Sequence, residues 1–331
     1  MSRRLDIDRA KGLAITLVVF GHIVARQAPA HVHWYPPLRR AVYAFHMPFF
    51  FYLSGTVSWL AGHARTNPAE WPTLAATRAR RLLVPFALMG ALIVIGKLIA
   101  APIMVVDNAP RGVIPGLVDL VWNPAHSPAY ALWYLFVLFA LSLLVPVMLW
   151  ALRGRLILVL LSFAALELIP LPWTLYLTDI ARYGVFYAVG LCAGALGDAW
   201  TGLIDRWRWP LLVLFCTGFA LIALCGAAWP FAARLLAFGI LAMPALHALV
   251  RFSCLSSDRI LVTIGRYSLM IYLFNTIFIG LTKGVLLHVV SWNGDHFFGF
   301  ACVLMAAGMV GPILLKRAVF RAAPALDRMT E

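Results

Sequence analysis

The sequence predicts an all-α integral membrane protein: about ten transmembrane helices around a central polar cavity, with the N- and C-termini cytoplasmic. Three observations point there. Of the 331 residues 63% are hydrophobic and only 12% charged, against about a quarter charged in a soluble domain. The apolar residues gather into runs long enough to cross about 30 Å of hydrocarbon at about 1.5 Å per residue. Lysine and arginine concentrate in alternate connections between those runs, the asymmetry of the positive-inside rule.

Taken in order, the spans cover residues 12–28, 41–61, 82–105, 130–151, 155–170, 179–197, 209–227, 230–250, 260–281 and 297–315. The first follows the charged start MSRRLDIDRAKG, which runs straight into the apolar stretch. That stretch has no small-residue cleavage site, so it is expected to stay in the protein. The second opens on FHMPFFFYLSG and the third follows RARRLLVP. The fifth is the shortest, and a proline-flanked junction, Ala228–Pro230, separates the seventh from the eighth. The connection from Val106 to Ala129 carries Pro110, Pro115, Pro124 and Pro128 and is expected to be irregular. No Ser/Gly linker, low-complexity tract or internal repeat interrupts the chain. Residues 1–331 are therefore expected to form a single transmembrane domain, with a short cytoplasmic tail from about 316 and no further soluble domain.

With the N-terminus inside, the cytoplasmic segments hold Arg3, Arg4, Arg9 and Lys11, then Arg65, Arg78, Arg80 and Arg81, then the pairs Arg153/Arg155, Arg206/Arg208 and Arg251/Arg259, and finally Lys316, Arg317, Arg321 and Arg328. Only Arg26, Arg39, Arg40, Arg111 and Lys283 are left for the opposite side. Topology thus accounts for the formal charge of +14, and a nucleic-acid partner is not expected. Cys192, Cys216, Cys225, Cys254 and Cys302 lie singly in or beside apolar runs, without CxxC or His–Cys spacing. They are expected to be buried hydrophobes, and no metal site is expected.

Chemistry is expected where polar residues enter these spans. Lys11 and His22 stand eleven positions apart, which returns them to nearly one helix face about 16 Å apart along the axis. An imidazole inside the bilayer is a functional candidate, and its ordinary pKa near 6.5 suits a general base. Asp8 is read equally well as an ion-pair partner of Lys11. His46 enters the second span either as a boundary residue or as a second polar group of the site, while Ser54 and Gly55 suit close helix packing. Arg78, Arg80 and Arg81 exceed what anchoring requires, and guanidinium forks suit the phosphates of a polyphosphate ligand arriving from the cytoplasm. Asp179, Arg182, Tyr183 and Tyr187 share one face of the sixth span, and Ser268, Tyr272 and Asn275 share one face of the ninth. Together with Glu167, Arg234 and His247 they describe a polar interior wide enough for a hydroxylated acceptor. Asp179 and Arg182 are most simply a mutual pair. Trp133 and Tyr134 are read as interfacial rings or as a wall of the same cavity.

Five stretches carry a family resemblance: DIDRAKGLAITLVVFGH (6–22), FHMPFFFYLSG (45–55), RARRLLVP (78–85), LWYL (132–135) and IGRYSLMIYLFN (264–275). The first three are specific in combination. On them the chain resembles the membrane acyltransferase-3 superfamily, in its branch of sugar O-acetyltransferases of the fucose-acetylase and nodulation-factor type. The resemblance implies that His22 is the catalytic imidazole and that Lys11, Arg78 and Arg81 face an acyl-coenzyme A donor. Two departures stand out. Lysine occupies position 11 where arginine is more usual, and Asn275 stands where many relatives carry histidine.

The expectation is an acyl-CoA-dependent O-acyltransferase of the bacterial cytoplasmic (inner) membrane. It would move an acyl group, acetyl first, from acetyl-CoA to a hydroxyl of a saccharide or glycolipid such as an exopolysaccharide precursor. His22 would act as general base, with an acyl-histidine intermediate as the competing mechanism. His46, Tyr272, Asn275, Asp179, Arg182 and Tyr183 are candidates for further catalytic or acceptor-site roles, and Ser54, Trp133 and Tyr134 for cavity-lining ones. The rival reading is a transporter or flippase of an anionic glycolipid without covalent chemistry, against which stands the lack of an inverted repeat. Acceptor identity, acyl length, the leaflet used and whether the chain forms a homo-oligomer are left open.

Overall fold

The structure is a computed structural model. It describes residues 4–24, 28–102, 106, 108–252 and 259–322. The ends of the first and third expected spans, Arg3, Arg26, Cys254, Arg328 and most of the expected tail lie outside these residues.

Among the described residues every regular element is helical. In chain order these are α1 (Leu5–His22), α2 (Tyr35–Tyr43), α3 (His46–Leu60), α4 (Trp71–Arg78), α5 (Val84–Ala100), α6 (Val113–Val121), α7 (Trp133–Ala151) and α8 (Leu156–Glu167). There follow α9 (Leu177–Leu196), α10 (Asp198–Arg206), α11 (Arg208–Cys225), α12 (Phe231–Leu249), α13 (Arg259–Arg266), α14 (Ser268–Leu286) and α15 (Gly294–Ala318). A π turn, Ala79–Leu83, joins α4 to α5 without a break. Long apolar helices are what a chain in lipid must form, because they satisfy their own backbone hydrogen bonds.

Among the described residues, six segments are long and apolar enough to cross a membrane: Pro68–Ala100, Tyr130–Ala151, Arg208–Ala228, Phe231–Leu249, Ser268–Leu286 and Gly294–Ala318. They become seven if Thr174–Leu196 with Asp198–Arg206 counts as one bent span. The remaining expected spans are helical but differ in length or continuity. The second divides into α2 and α3 at Ala44 and Phe45, and the ninth divides into α13 and α14 at Tyr267. The fifth is realised as α8, only 12 residues long. The connection expected to be irregular contains α6. Proline is tolerated there because Pro115 sits in the first turn, whose N–H groups lack intrahelical partners.

The chain divides into two compact units, residues up to 53 with 196 onward, and residues 54–195, the division falling inside α3. In the first unit α1 packs on α13, α14 and α15, and α2 packs on α11. The α1–α13 crossing is a backbone-to-backbone contact. A Cβ on Gly12 would run into the Leu261 carbonyl, and one on Gly265 into the Asp8 carbonyl. In the second unit α5 packs on α6, and α7 receives the turn His63–Arg65, the π turn, α4 and α8.

Candidate active site

α1 is apolar through its middle and carries polar groups at both ends. At its C-terminal end the final carbonyls lack intrahelical partners, and tyrosines of the following segment supply them. Tyr35 Oη donates to Phe20 O (2.7 Å), and Tyr43 Oη donates to Gly21 O (3.1 Å). The last turn is thereby held in place, and with it His22.

His22 Nδ1 lies 2.7 Å from Asn275 Oδ1 on α14. Asn275 is fully buried, and its amide nitrogen donates to Ile271 O and Tyr272 O, each at 2.8 Å. With both N–H bonds spent on carbonyls, the amide oxygen must face the imidazole, and it can only accept. Nδ1 therefore carries the hydrogen, and Nε2 keeps its lone pair. His22 itself is only partly buried. The result is an imidazole oriented through Nδ1, with Nε2 left for other partners.

His46, at the start of α3, is buried and satisfied on one side, with Nδ1 2.9 Å from Val42 O. Its ring packs edge-on against Tyr43, centroids 4.9 Å apart, one ring away from the Gly21 carbonyl. Tyr272 is also buried on α14. Arg39, expected only as an outer-loop charge, joins this group. Its guanidinium lies 5.0 Å over the Tyr43 ring, Nη2 donates to Tyr43 Oη (3.4 Å), and its charge acts on both His22 and His46. Its Nε is buried with no hydrogen-bond partner. The available signal was its spacing: Arg39 and Tyr43 are four apart, one helical turn.

The N-terminal end of α1 carries a second polar cluster. Trp200 Nε1 donates to Tyr52 Oη (2.7 Å), Tyr52 Oη meets His247 Nδ1 (2.6 Å), and His247 Nε2 faces Asp6 Oδ2 (3.5 Å). Asp6 also pairs with Arg4 (2.9 Å) and Arg251 (3.2 Å), and Arg251 continues to Asp205 (2.7 Å). Asp6 and His247 are both buried, and buried charges persist where they are paired in this way. The cluster ties α1 to α3, α10 and α12. Lys11 lies between the two clusters, partly buried.

In the second unit Ser54 and Tyr134 share a hydroxyl–hydroxyl bond of 2.7 Å, and Trp133 packs tilted against Tyr183, ring centroids 4.7 Å apart. Tyr134 is thus held by a hydrogen bond within this unit. Gly55 lies against the Tyr187 carbonyl, close packing as expected of Ser54–Gly55. Arg182 Nε lies 3.8 Å from Glu167 and 5.8 Å over the Trp173 ring. Asp179 is 3% exposed, and its Oδ2 has no hydrogen-bond partner. Arg78 closes α4 and Arg81 lies in the π turn. Both charges act on His63, which burial and then these two arginines hold below the usual imidazole range.

The sequence profile of the acyltransferase-3 family, described as an acyltransferase domain, matches residues 4–317. The chain belongs to this family. Among curated proteins this acyltransferase-family member is similar to the nodulation protein NolL of Mesorhizobium japonicum, 27% identical over 218 residues, covering 64% of this chain and 54% of that protein. It is likewise similar to the nodulation protein NolL of Sinorhizobium fredii, 28% identical over 231 residues, covering 69% of this chain and 58% of that protein. The chain thus spans somewhat more than half the length of the relatives it matches. No solved structure matches it. Family and apolar helices together make it a multi-pass membrane protein of acyltransferase type.

Proposed function

We propose that the protein is an O-acyltransferase of the bacterial inner membrane that transfers an acetyl group from acetyl-CoA to a hydroxyl of a saccharide or glycolipid. The observation that carries this reading is the His22–Asn275 pair, which leaves Nε2 as an oriented base. Family membership supports the reaction type. The nodulation-factor resemblance and the nodulation-protein relatives support a saccharide acceptor.

In this mechanism His22 Nε2 takes the acceptor's O–H proton as the oxygen attacks the thioester carbonyl, forming a C–O bond. The tetrahedral oxyanion develops beside the Arg39 charge, an electrostatic contribution of the kind that dominates acyl transfer. Collapse breaks the C–S bond, and the imidazolium returns its proton to the departing sulfur, releasing the ester and free CoA. Lys11, Arg78 and Arg81 are assigned to the donor's phosphates, with both chain termini on the donor's side of the membrane. Asp179, Arg182, Tyr183 and Trp133, a carboxylate and a cation beside two packed aromatic rings, supply the chemistry that holds a sugar.

The test is transfer of labelled acetyl from acetyl-CoA to saccharide acceptors by purified protein. His22→Ala should abolish transfer at normal membrane level. Turnover retained in that variant removes His22 from the mechanism. Substrate counterflow without CoA dependence would instead support a transporter.

A further inference from the structure

The second unit contains a cavity outside the residues assigned so far, with a volume of about 210 Å³. Its walls are Trp59 in the last turn of α3 and Trp150 in the last turn of α7, bridged by the connection that carries Arg65 and Asn67. Arg65 lies over the Trp59 ring at 4.6 Å, which leaves its guanidinium at the rim. Trp150 is 64% exposed and meets Trp71 edge-on at 6.0 Å, so one face of its indole stays open.

Next to the cavity is a concentration of positive charge. The single turn His63–Arg65 and the π turn Ala79–Leu83 both pack on α7, and Arg78 and Arg81 act on His63 in that turn. His63 Nδ1 is buried without a hydrogen-bond partner. Aromatic faces, a side-chain amide and an arginine cluster are the three things an adenine nucleotide needs: stacking for the ring, hydrogen bonds for its edge, and guanidinium forks for the phosphates. An apolar cavity of about 150 Å³ accepts one benzene ring, so this one has room for a purine but not for a whole coenzyme.

We propose that the Trp59–Trp150 cavity receives the adenine ring of the acyl donor, with Arg65 joining Arg78 and Arg81 on its phosphates. This rests on the acyl-CoA reading above and adds where the nucleotide ends. Loss of ring stacking is worth roughly tenfold in affinity.

The experiment compares acetyl-CoA with S-acetyl-pantetheine, which lacks the nucleotide, on the full chain in detergent, with ADP as competitor. Trp150→Leu should weaken acetyl-CoA binding about tenfold, weaken competition by ADP to the same extent, and leave S-acetyl-pantetheine binding unchanged. Trp150→Phe, which keeps an aromatic face, should restore most of the affinity. Because Trp150 is exposed, the variant is expected to fold, and an unchanged thermal midpoint checks it. Acetyl-CoA and ADP binding to Trp150→Leu at wild-type strength overturns the inference. So does displacement by phosphatidylglycerol with no effect of ADP, which would assign the cavity to a lipid headgroup. Wild-type protein that binds no acetyl-CoA overturns the donor assignment itself, a result distinguishable from both.

Discussion

Replacing Asn275 with leucine tests the orientation of His22 with little change in side-chain volume. The bond removed is the 2.7 Å contact to His22 Nδ1. Ile271 and Tyr272 keep their carbonyls within the helix, so the loss falls on the imidazole. A neutral hydrogen bond contributes about 0.5–1.5 kcal/mol net, which corresponds to roughly 2- to 12-fold in the population of the correct tautomer. Misplacement of the ring costs more, up to about 10² in rate for about 1 Å. The expected loss in kcat is therefore about 10- to 100-fold, with the KM for acetyl-CoA unchanged. Asn275→Asp retains the acceptor and should recover at least part of kcat. The assay is release of free CoA thiol by detergent-purified protein with a saccharide acceptor. Wild-type kcat in Asn275→Leu, or a defect confined to KM, would refute the argument that the amide holds the base.

Arg81→Ala should weaken acetyl-CoA binding roughly tenfold, as expected for one charge-assisted hydrogen bond, measured by titration calorimetry; unchanged affinity reduces the arginine to a topology anchor. Arg39→Gln should lower kcat about 10²-fold with donor affinity intact, and a kcat within twofold of wild type would remove Arg39 from the oxyanion's surroundings. Arg251→Ala leaves Asp6 and Asp205 each short of a partner and should destabilise the protein by about 1–3 kcal/mol. A lowered thermal midpoint in detergent checks this, and an unmoved midpoint would show that Arg4 and His247 suffice for Asp6.

Hydropathy located the apolar helices because lipid demands long uninterrupted runs. Tyr130–Ala151, Phe231–Leu249 and Gly294–Ala318 fall within a few residues of expectation. The breaks were less legible. No polar residue marks the break at Ala44–Phe45, whereas Tyr267 lies in the polar run Gly265–Ser268. His22 and Asn275 were each singled out by polarity, yet their pairing joins residues 253 apart, beyond any local spacing rule. The Asp6 cluster was not legible because Arg4 and Arg251 already fit the positive-inside pattern and the partners of Arg251 lie far away in sequence.

The π turn at Ala79–Leu83 has a consequence for how this region tolerates sequence change. A π turn accommodates one residue more than the α-helix around it, so Trp71–Ala100 can gain or lose a single position there and remain one continuous rod. Removing one residue from ARRLL would let the turn close as ordinary α-helix, with α4 kept nearly in register with α5. The spacing of the arginines within the turn would change by one position while the apolar stretch beyond Val84 kept its faces. Indel scanning across these five positions is thus a way to respace the arginines without disturbing the hydrophobic span they introduce.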